Sequence, residues 1–180
     1  MKSNYNLIRL NRRGVTLIEL IITVTIIGIV AVALGFSFQN WQGRYNVESQ
    51  IKQIHADLMY ARSRAMERNR THFFTFPSAA SYSIYEDTNP FPDGNNTLET
   101  VSDTQLPGYP KTLGYPVTLS GGPISFDKRG LITPNSGAIV ITSSMGSSTS
   151  ENPDYDCILL TDLKISMGQW NVTTSTCAVR

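Results

Sequence analysis

Arg12-Arg13-Gly14-Val15-Thr16-Leu17-Ile18-Glu19, with the apolar run that follows it to Phe38, is the stretch from which the rest of the chain is read. Between Arg13 and Arg44 the only charged side chain is Glu19, and from Val15 to Phe38 the residues are almost wholly Ile, Val, Leu, Thr, Ala, Gly and Phe. As a helix this run is roughly 36 Å of apolar rod at about 1.5 Å per residue, long enough to cross a bilayer. Lys2, Arg9, Arg12 and Arg13 stand just before it, an arrangement that keeps the N-terminus cytoplasmic and sends the remainder outward.

Glu19 sets this span apart from a plain anchor. A carboxylate near one end of a membrane helix costs on the order of 2–3 kcal/mol on insertion scales, and an ionisable residue there points to a function and a partner. If the chain were cut after Gly14, Val15 would carry a free amine. The Glu19 carboxylate could then pair with the Val15 amine of a neighbouring subunit. In apolar surroundings any other stagger leaves both charges unpaired, so the pair would fix the axial register.

Arg-Arg-Gly-Val-Thr-Leu-Ile-Glu-Leu, residues 12–20, resembles the class III signal of type IV prepilins and type II secretion pseudopilins. The resemblance implies that a prepilin peptidase cuts between Gly14 and Val15, that Val15 is then N-methylated, and that Glu19 becomes the fifth residue of the processed chain. The family usually has Phe where Val15 stands. It often has a proline further along the apolar helix; here that region reads Leu34-Gly35-Phe36, so Gly28 and Gly35 are the expected weak points instead.

The chain has 180 residues and a formal charge of +1. Residues 1–14 are a processing segment and belong to no fold. Without their four cations, eleven Lys and Arg face 14 Asp and Glu, a balance of −3. A mildly acidic exported part argues against a general nucleic-acid surface, which needs a basic stripe. From Gln39 to Arg70 the helical pattern continues. Ile51, Ile54, Leu58, Ala61 and Ala65 recur at spacings of three and four, one apolar stripe with Lys52, Asp57, Arg62, Arg64 and Glu67 mostly off it. The absence of proline from Val15 to Thr71 predicts a single helix of about 55 residues, with Gly43 as a flex point and Asn69 at its end.

Short strands follow. Residues 72–76 and 82–85 read as a hairpin with its turn at Pro77–Ser81, and Asn89–Gly94 as a loop. Thr97–Ser102 reads as a short strand and Pro107–Pro116 as an irregular connection. Residues 117–119, 124–126, 131–132 and 138–141 read as strands, Ser143–Pro153 as an exposed loop, 157–160 and 164–167 as a closing hairpin, and Asn171–Arg180 as a tail. The expected fold class is α+β, with a long N-terminal helix on an antiparallel β-sheet domain. Its parts are the leader 1–14, a transmembrane and assembly segment 15–38, an amphipathic second half 39–71, and a periplasmic β-rich domain 72–180.

Ala56-Asp57-Leu58-Met59-Tyr60-Ala61-Arg62-Ser63-Arg64-Ala65-Met66-Glu67-Arg68-Asn69 is similar to the helix of the GspH/FimT group of minor pilins and pseudopilins. Ile124-Ser125-Phe126-Asp127-Lys128-Arg129-Gly130 is similar to that group's later strand and glycine turn. The resemblance implies a pilin-like structural subunit with no cofactor, held first in the bacterial inner membrane by one span and then in a type IV pilus or type II secretion pseudopilus. The implied partners are the prepilin peptidase, other pilin or pseudopilin subunits and an inner-membrane assembly platform. Arg62, Arg64, Arg68 and Arg70 read as a solvated helix face, or as partners of Glu67, Asp57 or a neighbouring subunit.

Cys157 and Cys177 are the only cysteines. Outside the cytoplasmic membrane a disulfide between them is expected. It would close a loop of about 20 residues and stabilise by about 3 kcal/mol in the chain-entropy model; two free thiols are the alternative. With only His55 and His72 elsewhere, no metal pair is expected. Neither histidine sits in a Ser/His/Asp or metal motif, and there is no phosphate loop, dinucleotide fingerprint or CxxC, so an enzyme is not expected. Asp87, Asn89 and Asp93 read as turn chemistry before calcium ligands. The three Asn-x-Thr matches, at Asn69, Asn95 and Asn171, read as chance. Some FimT-like proteins capture DNA, but from Ser143 onward only Lys164 and Arg180 are basic, against Glu151, Asp154, Asp156 and Asp162. Phosphate binding needs the opposite balance. The remaining alternative is a membrane-anchored surface adhesin that never assembles.

Overall fold

The structure, a computed structural model, describes residues 14–92, 94–121, 123–133, 139–143 and 153–180, the side chains of 33–41 and 139 excepted. With no proline to remove an N–H, one helix, α1, runs Leu17–Arg68 through Gly28, Gly35 and Gly43. It ends where expected. Asn69 takes a left-handed backbone (φ 54°) and the Arg70 N–H bonds the Ala65 carbonyl at 3.2 Å, which is the Schellman stop.

The chain divides into two units, Met1–Gln39 and Asn40–Arg180. In the first, residues 1–13 of the expected leader lie outside the described residues. Among the described residues no helix is long and apolar enough to cross a membrane. The described side chains of the expected span 15–38 end at Val32.

In the second unit the apolar stripe of α1 is buried as its spacing predicts: Ile51, Ile54, Leu58, Ala61 and Ala65 have no exposed surface. They meet two antiparallel five-stranded sheets. The first contains β1 (His72–Ser78), β2 (Ser81–Glu86), β3 (Thr104–Gln105), β4 (Lys111–Thr112) and β6 (Ile124–Phe126), in the order β3-β2-β1-β6 with β4 also on β2. The second has the order β10-β9-β8-β7-β5, from β5 (Val117–Ser120), β7 (Ile139–Ser143), β8 (Cys157–Leu160), β9 (Ile165–Asn171) and β10 (Thr176–Val179). Phe74, Tyr82, Ile84, Ile124 and Phe126 of the first sheet share one core with Val117, Ile141, Ile158 and Leu160 of the second. Each large side chain so buried is worth about 1.5–3 kcal/mol over exposure.

Several local expectations are corrected. β1 runs through Pro77 to Ser78, and the turn is only Ala79-Ala80. Pro77 fits within the strand because the β1–β2 register shifts between Thr75 and Ser78, and a proline sits at a bulge without losing a ladder bond. Thr97–Ser102 is turns, not a strand. Its N–H groups are taken locally: Thr97 by Asn95 Oδ1 (2.8 Å), Glu99 by Asp103 Oδ2 (2.7 Å) and Ser102 by the Glu99 carbonyl (2.9 Å). The connection 107–116 contains β4, which pairs with Ser81 and Tyr82. Residues 131–132 supply one isolated bridge, Phe126 to Ile132. The expected tail contains β10, paired along β9 from Asn171 to Gly168. Of the expected loop 143–153, residues 144–152 lie outside the described residues.

Candidate functional site

Gly14, Val15 and Thr16 are exposed and belong to neither helix nor strand. The helix starts at Leu17 because Thr16 caps it. The Thr16 carbonyl accepts the Leu20 N–H at 3.2 Å, and its Oγ1 accepts the Glu19 N–H at 3.3 Å. Thr16-x-x-Glu19 is the pattern of a capping box, and an acid in the first turn complements the positive end of the helix dipole. The signal is present in the sequence: Thr16-x-x-Glu19 gives the acid a capping role beside its intersubunit charge.

From Leu17 to Val32 every side chain is exposed, Leu17, Ile18, Ile27, Ile29 and Val32 by more than 60% each. The rod is apolar on every side, a surface that is stable only against another apolar phase. Its two interior threonines are internally satisfied: Thr23 Oγ1 donates to the Leu20 carbonyl (2.9 Å) and Thr25 Oγ1 to the Ile21 carbonyl (2.7 Å). Glu19 is left as the one charge on this surface. Gly14, Val15 and Glu19 therefore lie together at one end of the rod, as their spacing requires.

The second unit holds its polar groups in structural bonds. Asp57 accepts from Lys111 Nζ at 2.7 and 2.9 Å and from the Tyr82 hydroxyl. Burial first, then the hydrogen bond to Asp57 and that carboxylate's charge, push the Tyr82 phenol well above its usual range; burial and then the Asp57 charge raise Tyr109. Gln50, nearly buried, clamps Tyr115 by both backbone groups, donating to its carbonyl (2.9 Å) and accepting its N–H (3.0 Å), and also donates to Ser143 Oγ (2.9 Å). Neither contact has a local sequence signal, since Asp57 lies 25 positions from Tyr82 and 54 from Lys111, and Gln50 lies 65 from Tyr115.

The loop carboxylates do turn chemistry. Asp87 receives the N–H groups of Asn95 (3.2 Å) and Asn96 (2.6 Å), and Asp103 receives those of Thr88 (3.1 Å) and Glu99 (2.7 Å). Burial raises the Asp87 carboxyl, the Asn96 and Asn95 amides oppose this, and Asp103 and Glu99 add to it. Asp93 lies outside the described residues. Among those described, no three His, Cys, Asp or Glu side chains converge on a metal-sized site. In the Asp127–Gly130 turn, burial alone would raise Asp127. The amides of Leu131 and Arg129, with the Arg129 guanidinium, outweigh it and hold the carboxyl below the usual range. His72 is fully buried, with Nδ1 3.2 Å from the Arg70 carbonyl and Nε2 without a hydrogen-bond partner among the described residues. Desolvation depresses its pKa.

The arginine face divides. Arg64 pairs with Glu67 (3.1 Å), Arg70 with Glu86 (3.2 Å), Arg62 donates to the Leu163 carbonyl (3.2 Å), and Arg68 is exposed. Cys157 and Cys177 are joined in a disulfide, their Cα atoms 6.0 Å apart. Cys157 lies opposite Gly168, and Cys177 opposite Trp170, so the bridge links β8 to β10 across β9.

Two family models match. Residues 9–35 match the prokaryotic N-terminal methylation motif, and residues 50–155 match type II transport protein GspH. Comparison with curated proteins and with solved structures found no match. The GspH match spans more than half of the chain and takes in the buried stripe of α1 and the strands β1 to β7, so the chain belongs to the GspH family of type IV pilin-like proteins.

Proposed function

We propose that the protein is a non-enzymatic structural subunit, a minor pilin or pseudopilin. It is made as an inner-membrane precursor with its N-terminus cytoplasmic and its β-rich domain periplasmic. A prepilin peptidase cuts it between Gly14 and Val15, Val15 is N-methylated, and the subunit joins a type IV pilus or type II secretion pseudopilus. One observation carries the reading: an exposed, non-helical Gly14–Val15 junction opens directly onto a helix whose first stretch, Leu17 to Val32, is apolar on all sides and charged only at Glu19. The uninterrupted apolar run to Phe38 supports the membrane span. The charge at Glu19 supports pairing with a neighbour's Val15 amine, because a lone carboxylate in that setting is unfavourable.

The test is N-terminal mass spectrometry of the exported protein. A terminus at methylated Val15 is expected, and a retained leader would refute the processing step. Gly14→Ala is an informative companion, since a Cβ at Gly14 meets nothing within 4 Å among the described residues. Blocked cleavage in that variant would arise in the enzyme's site and not from misfolding. Glu19→Ala should stay in the membrane yet fail to enter the filament; incorporation at the wild-type level would remove the pairing mechanism.

A further inference from the structure

We infer that Thr16 is a positioning residue for the cut: its hydroxyl ends α1 just short of the Gly14–Val15 amide and keeps that amide extended and open to a peptidase. The inference rests on the processing reading above. A helix as long as α1, rich in Ile and Leu, has to be stopped by something. Val15 presents only a weak bar to joining it. Gly14 supplies no steric stop, because among the described residues nothing lies within 4 Å of a Cβ built on it. The two bonds that define the start are both at Thr16, through its carbonyl to Leu20 and its Oγ1 to Glu19.

Without the hydroxyl the Glu19 N–H loses its acceptor at the edge of an apolar phase, where an unpaired amide is strongly disfavoured. The nearest replacement is the Val15 carbonyl, in ordinary i to i−4 helical bonding. One further step gives the Ile18 N–H the carbonyl of Gly14. That carbonyl is the electrophile of the cleavage. Water adds to it, the C–N bond breaks, Gly14 leaves as a carboxylic acid that gives up its proton, and the Val15 nitrogen becomes an amine. Drawn into the first turn, the carbonyl would be committed to Ile18 and turned away from an enzyme that reads an extended backbone by its free N–H and C=O groups. Thr16 also explains why Glu19 is on the first turn: the capping pattern and the assembly charge use the same spacing.

The experiment uses full-length precursor in proteoliposomes with a prepilin peptidase. Appearance of the Val15 terminus is timed by mass spectrometry, and amide hydrogen exchange is measured on the uncut chain. Thr16→Val and Thr16→Ala should be cut about five-fold more slowly, the population ratio expected when a typical N-cap is lost. In both, exchange protection should spread to the Ile18 amide. Thr16→Ser and Thr16→Asp, which retain a capping oxygen, should be cut at the wild-type rate. Cutting of Thr16→Val at the wild-type rate would overturn the inference, as would Thr16→Ser as slow as Thr16→Val. Wild-type precursor left uncut at Gly14–Val15 would overturn the processing reading and this inference with it; the variant results overturn this inference alone.

Discussion

Replacing Lys111 by Met tests what holds β4 to the helix. Its Nζ lies 2.7 and 2.9 Å from the two Asp57 oxygens and 5.0 Å from the centre of the Tyr109 ring. A solvated pair of this kind contributes about 0–1 kcal/mol, whereas stripping one partner from a fully buried pair costs about 3–5 kcal/mol. The Lys111 side chain is 32% exposed and that of Asp57 13%, which places the contact between these limits. Met preserves the packing of the stem and removes the charge. Asp57 keeps the Tyr82 hydroxyl as a donor, so the loss should be about 2 kcal/mol, the range for a hydrogen bond to a charged group. For a chain of this size that is a fall of about 4–8 °C in melting temperature, read by near-ultraviolet circular dichroism of the full-length protein in mild detergent. Asp57→Asn combined with Lys111→Met should cost less than the two single changes added together. A single variant that melts with the wild type, or strict additivity in the double, would show that the pair is a solvated contact and refute the reasoning. The phenol in the same network gives an alkaline signature. Because the folded pKa of Tyr82 lies above the ordinary 10.0, its contribution to stability is whole below pH 10.0 and is lost as pH rises, since only the unfolded chain then releases the proton readily. Tyr82→Phe should flatten that part of the alkaline limb.

The fully buried His72, its Nε2 unpartnered among the described residues and Arg64 and Arg68 nearby, should make stability fall as pH drops. Its folded pKa is below 6.5, so the contribution is whole above 6.5 and is lost as pH falls through the folded value; titration of its ring protons by NMR at or above 6.5 would contradict this. Gly94→Ala should cost about 2–4 kcal/mol, because the new Cβ would lie 2.2 Å from Asp87 Cγ at a backbone φ of +77°. Gly130→Ala should cost less, since its φ is +75° but its nearest neighbour is the flexible Met66 Sδ at 2.9 Å; the reverse order in urea denaturation would show the Asp87 loop to be loose. Cys177→Ser should lose about 3 kcal/mol by loop entropy and speed hydrogen exchange at β10 while leaving β1 protected.

The helix and its buried stripe were readable because helical periodicity and missing prolines are local properties. Asn69 was readable as its end for the same reason, as one of the few residues that tolerates the left-handed stop. Gly14, Val15 and Glu19 were legible as a motif, but the cap at Thr16 was hidden behind the more conspicuous charge at Glu19. The partition into two sheets was not legible. It depends on which short strands find each other, and β4 is only Lys111-Thr112, held by pairing with residues near Ser81. β10 reads as a tail because Thr173-Thr174-Ser175-Thr176 is polar, while the register that makes it a strand lies in β9. Thr97–Ser102 failed in the opposite direction. Its composition suits a strand, but Asp103 and Asn95 capture the N–H groups that a neighbouring strand would have needed.

The cross-strand clasp changes how the end of the chain responds to tension. A four-residue strand at a sheet edge is ordinarily the first to come away. Here Cys177 of β10 is bonded to Cys157, so fraying that enters β10 from its Val179 side stops at the bridge. A pull on that end passes through sulfur to β8, which sits between β7 and β9 inside the sheet. The load must then shear several rows of backbone bonds together, where an unclasped edge would unzip one row at a time.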